Sequence, residues 1–334
     1  MRKLWIWLAI LVTTAVVVIW QWHGWQWHEW QGHEWQGRPN AYLPIAQSPV
    51  HQQPVQMPMV KVSSERLFAD VTALSFVRHS NADRQRARAY IDQALQAAGW
   101  TTQLHPFEGG VNLYANRAGT HPGSGSILLG AHYDTVENSP GADDNATSVA
   151  TVLEAARLLG AQPTTRDLTL VFFDSEESGL LGSQAFVDQI VQEETTQAAV
   201  ILDMVGYACD QAGCQSYPSM LPIQPPTDRG NFLAVLGNQG NAWMLNSFVQ
   251  LQPNQPAVIT LPLPTFGGLA PDLVRSDHAP FWKKGIGAVL VTDTANFRNP
   301  HYHQASDTVE TINPAFFVGS AQIVVDAVAQ LLQH

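Results

Sequence analysis

"DLTLVFFDSEESGLLGS", residues 167–183, is the stretch on which the reading of the whole chain turns. Residues 168–173 are apolar apart from Thr169. A short apolar run of that kind reads as a buried strand, and Gly179 and Gly182 mark a turn into a helix. Between the two stand Glu176 and Glu177, adjacent carboxylates that repel each other. Acidic pairs in loops are ordinarily solvated surface. A pair placed where a buried strand ends calls for a compensating partner, and the rest of the sequence has to supply it.

The same alternation extends outward from this stretch. Helical patterns cover residues 64–78, 83–98, 146–160, 179–192 and 314–332. Strand candidates cover residues 126–134, 167–175, 198–206, 232–238 and 286–294. Apolar strands alternating with amphipathic helices predict an α/β fold: a three-layer sandwich with a mixed, mostly parallel central sheet and helices on both faces. Such sheets hold ligands beyond the carboxyl ends of their strands.

The predicted strand ends carry one type of chemistry. "SILLGA" leads into His132, Tyr133 and Asp134, and "AAVIL" leads into Asp203. "AVLVTDT" is followed by "NPHYHQASDT" with His301 and His303, and "PGADDNATS" places Asp143 and Asp144 just before a helix. Imidazoles mixed with carboxylates, without cysteine, suit zinc or a similar ion in a catalytic site. The candidates outnumber the three protein ligands of a typical single-metal site, so two metals are expected. Asp134 lies two residues after His132 on the same strand face, placed to accept the second imidazole N–H.

These residues carry a family resemblance. "GAHYD", "PGADDNATS", "FFDSEESGLLGS", "LDMVG", "SDHAPFWKKGIGAV" and "YHQASDT" follow in order and resemble the co-catalytic di-zinc aminopeptidases. That family holds the bacterial leucyl aminopeptidases and peptidase domains related to glutamate carboxypeptidase II. The resemblance runs from about residue 64 to the end. It implies two Zn2+ ions per chain, with His132 and Asp203 on one, Glu177 and His303 on the other, and Asp144 bridging them. It implies Glu176 as general base toward a metal-bridging water, and peptides as substrates, cut at the N-terminal bond. Ser148 stands where the family has glycine and Gln304 where it has threonine; neither is a ligand position. Tyr302 is read either as a hydrogen-bond donor to the oxyanion or as a packing tyrosine. Asp277 and His278 are expected to orient a loop or cap a helix. Asp307 is expected to support His303 or cap the approach to the last helix, and His301 to lie at the surface. The alternatives are a glutaminyl-cyclase-like acyltransferase with one working zinc, and a non-catalytic ectodomain.

Composition fits an enzyme body. Of 334 residues, 45% are hydrophobic and 13% charged, enough for a large core. A formal net charge of -11 argues against nucleic acid as a partner. Residues 1–20 open with Arg2 and Lys3 and then carry no charge, which predicts a membrane anchor or signal segment with the body outside the cytoplasm, periplasmic or extracellular. Cleavage of that segment would make the protein secreted. Residues 21–37 form a Trp/His-rich juxtamembrane repeat, 38–60 a Pro/Gln-rich linker, and 61–334 the predicted catalytic domain. Outside the cytoplasm, Cys209 and Cys214 are expected to close a small disulfide loop.

Overall fold

The computed structural model describes residues 60–219, 221, 224–250, 252–263 and 271–333. The predicted anchor, the Trp/His-rich repeat and all but the last residue of the linker lie outside the described residues.

The central sheet has eight strands: β1 (Thr102–Phe107), β2 (Gly110–Arg117), β3 (Ser126–His132), β4 (Asp167–Phe173), β5 (Thr196–Leu202), β6 (Phe232–Asn238), β7 (Ala257–Leu263) and β8 (Ala288–Thr292). Their order is β1-β2-β4-β3-β5-β8-β6-β7. The run β4-β3-β5-β8 is parallel, and antiparallel pairings flank it on both sides. Sequence alternation marked the parallel strands because they are apolar on both faces. It did not mark the β1–β2 hairpin or β7, whose partly exposed edge positions and prolines, Pro106 and Pro262, dilute the pattern.

Strand alternation sends neighbouring side chains into two separate cores. Ile127, Leu129 and Ala131 of β3 face α1 (Ser64–Leu74), α2 (Asn81–Ala97), α3 (Ser148–Leu159) and α6 (Pro314–Leu331). Leu128 of β3 and Phe173 of β4 belong to the opposite core, with Phe186 of α4 (Leu181–Gln189) and Phe281 and Trp282 of α5 (His278–Lys283). The expected sandwich is therefore the observed one. Helix α6 is long and apolar enough to cross a bilayer, but 72% of it is buried in the domain. It is a core helix, and membrane attachment finds no support in it.

The strands β3, β4, β5 and β8 are parallel, so their carboxyl ends share one edge of the sheet. His132 closes β3 opposite Phe173 of β4, and Asp203 follows the last residue of β5. Helix α1 stops at Leu74 rather than at 78, which frees Phe76 and Arg78 to run toward that same edge.

Candidate metal centre

The five expected ligands and the expected base come together around His132 and His303, with Asp144 between the two. Asp144 Oδ1 lies 3.4 Å from His132 Nε2, and Asp144 Oδ2 lies 3.3 Å from His303 Nε2. Asp203 Oδ1 is 3.8 Å from the His132 nitrogen, and Glu177 Oε2 is 3.0 Å from the His303 nitrogen. Glu176 Oε2 stands farther off, 4.0 Å from His132 Nε2. The donor atoms of His132, Glu176 and Asp203 lie within 4.8 Å of one another, as do those of Asp144, Glu177 and His303. Proximity alone would admit Glu176 as a ligand; its greater distance from His132 and the bidentate placement of Asp144 favour Asp144 in both groups. Tyr302 shares the same cleft.

The contacts have the geometry of a metal cage rather than of a hydrogen-bond network. His303 Nε2 and Glu177 Oε1 are buried without a hydrogen bond, although Asp144 Oδ2 and Glu177 Oε2 lie 3.3 and 3.0 Å from the His303 nitrogen. Donor atoms crowded together yet not aimed at each other converge on shared points, as ligands around a cation do. Two imidazoles and three carboxylates form a donor set suited to zinc.

Local sequence explains each placement. Gly141 has φ +62°, and a Cβ there would lie 2.3 Å from Asp144 O, so glycine lets the chain fold tightly into the kinked turn Ala142–Thr147. Asn145 ties that turn to the end of β5: its Nδ2 donates to Leu202 O at 3.0 Å, and its Oδ1 accepts from Met204 N at 3.0 Å. Asp144 and Asp203 are thereby held in register. A Cβ on Gly182 would lie 2.1 Å from Asp174 O, so the glycine allows α4 to start close against the end of β4. Ser175, Met204 and His303 have φ of 59°, 57° and 60°, non-glycine residues in the left-handed region clustered at the site.

The supporting residues were only partly foreseen. Asp134 Oδ1 lies 3.5 Å from His132 Nδ1, beside it but without the expected hydrogen bond, and its carboxylate instead accepts the backbone N–H of Glu176 at 3.0 Å and of Glu177 at 3.2 Å. Asp307 supports Asp144 rather than His303: its two oxygens accept from Asp143 N at 2.9 Å and Asp144 N at 3.0 Å. Asp143 is turned away, accepting from Gly206 N and Asn299 Nδ2. Asp277 precedes α5 but makes no side-chain cap bond, and it is wholly buried. His278 is packed against Trp282, with Nε2 3.0 Å from Leu273 O. His301 is half-buried against Tyr207.

Arg78 gave no signal in the sequence. Its buried guanidinium donates to five carbonyls, those of Tyr133, Leu74, Phe76, Pro140 and Gly141. It clamps the loop between His132 and Asp144, and Asp144, Asp134, Asp307 and Glu177 offset its charge. Replacing Arg78 with Met should cost about 3–5 kcal/mol, because the carbonyls lose their donor and the carboxylates a countercharge. Urea unfolding of the metal-free chain reads this directly; a loss under about 1 kcal/mol would mean that water replaces the clamp.

The electrostatics of the site follow from its crowded carboxylates and imidazoles. Burial alone would raise the Asp144 carboxyl, but the imidazoles of His132 and His303 outweigh it and hold it well below its ordinary value. Burial would lower His303, yet the close carboxylates of Asp144 and Glu177 push it up to about 10. His132 is raised well above its ordinary value against a similar burial penalty, by Glu176, Asp134, Asp144 and Asp203. Burial and then the Asp144 charge raise Glu177 to about 7. Protons here do what dications would do.

Comparison with known proteins identifies the family. The pattern of Peptidase family M28 matches residues 112–328. The chain belongs to that family. It is 35% identical over 270 residues to the uncharacterized protein YfbL of Escherichia coli, covering 75% of this chain and 80% of that protein. It is 30% identical over 218 residues to the aminopeptidase YwaD of Bacillus subtilis, covering 62% of this chain but only 41% of that relative. The solved structure of BSAP, a zinc aminopeptidase from Bacillus subtilis, shares the fold with TM-score 0.52 and 25% identity, covering 67% of this chain and 50% of that one. The metallo-aminopeptidase class expected from the sequence accords with this M28 membership.

Proposed function

We propose that this M28 peptidase is a di-zinc aminopeptidase that removes N-terminal residues from peptides. The observation that carries the reading is the Asp144 carboxylate, which offers one oxygen to each of two histidine-carboxylate groups. His132 with Asp203 and His303 with Glu177 would hold one zinc each, with Asp144 shared. Bound there, the ions acidify water and polarise the scissile carbonyl.

The protein's own residues do the remaining work. Glu176 is buried, and burial raises its carboxyl well above the ordinary value, a setting for a group that takes and returns a proton. It accepts the proton of the attacking water and delivers it to the leaving amine. Its backbone N–H and that of Glu177 are both fixed by the Asp134 carboxylate, which holds the two glutamates at the end of β4. Tyr302 donates to the carbonyl oxygen as charge develops there.

Beside the donors lies a cleft open to solvent and walled by Tyr217, Phe232, Leu236, Leu261, Leu273 and Leu290. It suits a large apolar side chain, while Glu176 and Asp203 lie near enough to receive a free ammonium group. Peptides beginning with Leu or Phe should be cut with kcat/KM at least about 10-fold above those beginning with Gly or Asp. N-acetylation should abolish cleavage. Equal cleavage of blocked peptides would replace exopeptidase action with another hydrolase activity.

In the same proposal residues 1–20 are an anchor or signal, 21–37 the repeat, 38–60 the linker and 61–334 the catalytic domain. Cys209 and Cys214 form a disulfide, which supports a location outside the cytoplasm.

A further inference from the structure

The proposed reaction leaves Arg275 unused, although its guanidinium lines the same cleft as Glu176 and Tyr302. Arg275 stands between the short helical turn Pro271–Val274 and α5. Its Nη2 donates to Tyr302 Oη at 3.1 Å, and its Nη1 reaches Asp272 Oδ1 at 3.2 Å and Asn296 Oδ1 at 3.4 Å. The Tyr302 ring is stacked on the His303 imidazole, with centroids 3.7 Å apart and planes 21° from parallel.

A phenol has one proton to donate and lone pairs to accept with, whereas a guanidinium only donates. The bond from Arg275 therefore occupies a lone pair of Tyr302 and leaves its proton free. Stacking on His303 fixes the ring, so rotation of the hydroxyl is the remaining freedom. The guanidinium restricts that rotation by repelling the proton from its own side. It also polarises the O–H bond, since a charged donor on an oxygen strengthens the donation that oxygen makes in turn. Asp272 already offers Arg275 a carboxylate, so the guanidinium is held in place without substrate.

We infer that Arg275 is a positioning residue for Tyr302, turning the phenol proton toward the substrate oxygen that becomes the oxyanion. The inference rests on the peptidase reading above. It makes Tyr302 a donor with a dedicated support, and it assigns Arg275 no direct contact with the substrate.

A double-mutant cycle on the full, zinc-loaded chain tests it. Tyr302→Phe should lower kcat by about 10²-fold. Arg275→Ala should lower kcat about tenfold with KM within about threefold, the effect of one charge-assisted hydrogen bond. Arg275→Lys should recover part of that loss. In the Tyr302→Phe background, Arg275→Ala should change kcat less than about twofold, because the group it positions is gone. Calorimetry gives a second readout: affinity for the phosphonic acid analogue of leucine should fall about tenfold in Arg275→Ala, and affinity for leucine itself should stay within about threefold.

Multiplying effects in the double variant overturn the inference. So does a rise in KM alone, which would make Arg275 a binding group for a substrate carboxylate. Cleavage by the wild type is read separately. If the wild type cuts no peptide, the peptidase reading fails and takes the inference with it; if it cuts and the effects are independent, only the inference fails.

Discussion

Glu176→Gln is expected to lose peptidase activity by about 10³-fold or more in kcat while keeping its metal. The expectation separates two roles that proximity alone leaves together. Glu176 lies 4.0 Å from His132 Nε2, close enough to be counted with His132 and Asp203 as a ligand. Two nearer carboxylates already serve that nitrogen, Asp144 at 3.4 Å and Asp203 at 3.8 Å. A base is needed for proton transfer and a ligand for retention of the ion. Glutamine keeps the shape and removes the basic oxygen. If Glu176 is the base, kcat collapses, KM moves by less than about threefold and zinc content is unchanged. Loss of one zinc per chain would make Glu176 a ligand, and activity within tenfold of wild type would remove it from the chemistry altogether.

Asp144→Ala is expected to do the opposite, emptying both metal positions. Its carboxylate is the one group within reach of both His132 and His303 among the described residues. Removing an outer-shell partner of a metal ligand costs about 10–100-fold in affinity, and removing a shared ligand should cost more at both positions. A competing chelator titration reads this, and activity should disappear with the metal. Two tightly held zinc ions in Asp144→Ala would refute the bridging role.

The same titration carries a pH signature whose sign follows from the site. In the metal-free chain His303 is pushed up to about 10 by Asp144 and Glu177, and His132 is raised as well. At neutral pH the His303 imidazole is therefore protonated, and a ligating imidazole must be neutral. Binding expels that proton, so zinc affinity rises with pH until it passes through about 10, where His303 is already neutral. The His303 proton alone corresponds to about one decade of affinity per pH unit. Calorimetry in buffers of different ionisation enthalpy counts the protons released.

Much of this site was legible because the chemistry sits at the ends of apolar strands. His132, Glu176, Glu177 and Asp203 each follow a run that alternation or apolarity marks as sheet, and a parallel sheet brings such ends to one edge. Asp144 and His303 lie on turns, and there the family resemblance carried them. What escaped was support that depends on where the backbone bends. Arg78 looked like the last turn of a helix, but α1 ends at Leu74 and its side chain returns to clamp the loop before Asp144. Asp307 looked like a partner of its near neighbour His303, whereas folding sets it against Asp143 and Asp144, about 160 residues earlier. The β1–β2 hairpin and β7 escaped because partly exposed strands carry a weaker pattern than buried ones.

The central claim is that two metal positions share Asp144, and zinc content decides it most directly. Zinc per chain would be measured for the wild type, for Glu176→Gln and for Asp144→Ala, after dialysis against trace zinc. Two ions in the wild type, two in Glu176→Gln and none in Asp144→Ala is the predicted result. One ion in the wild type, or none, would contradict the paired centre.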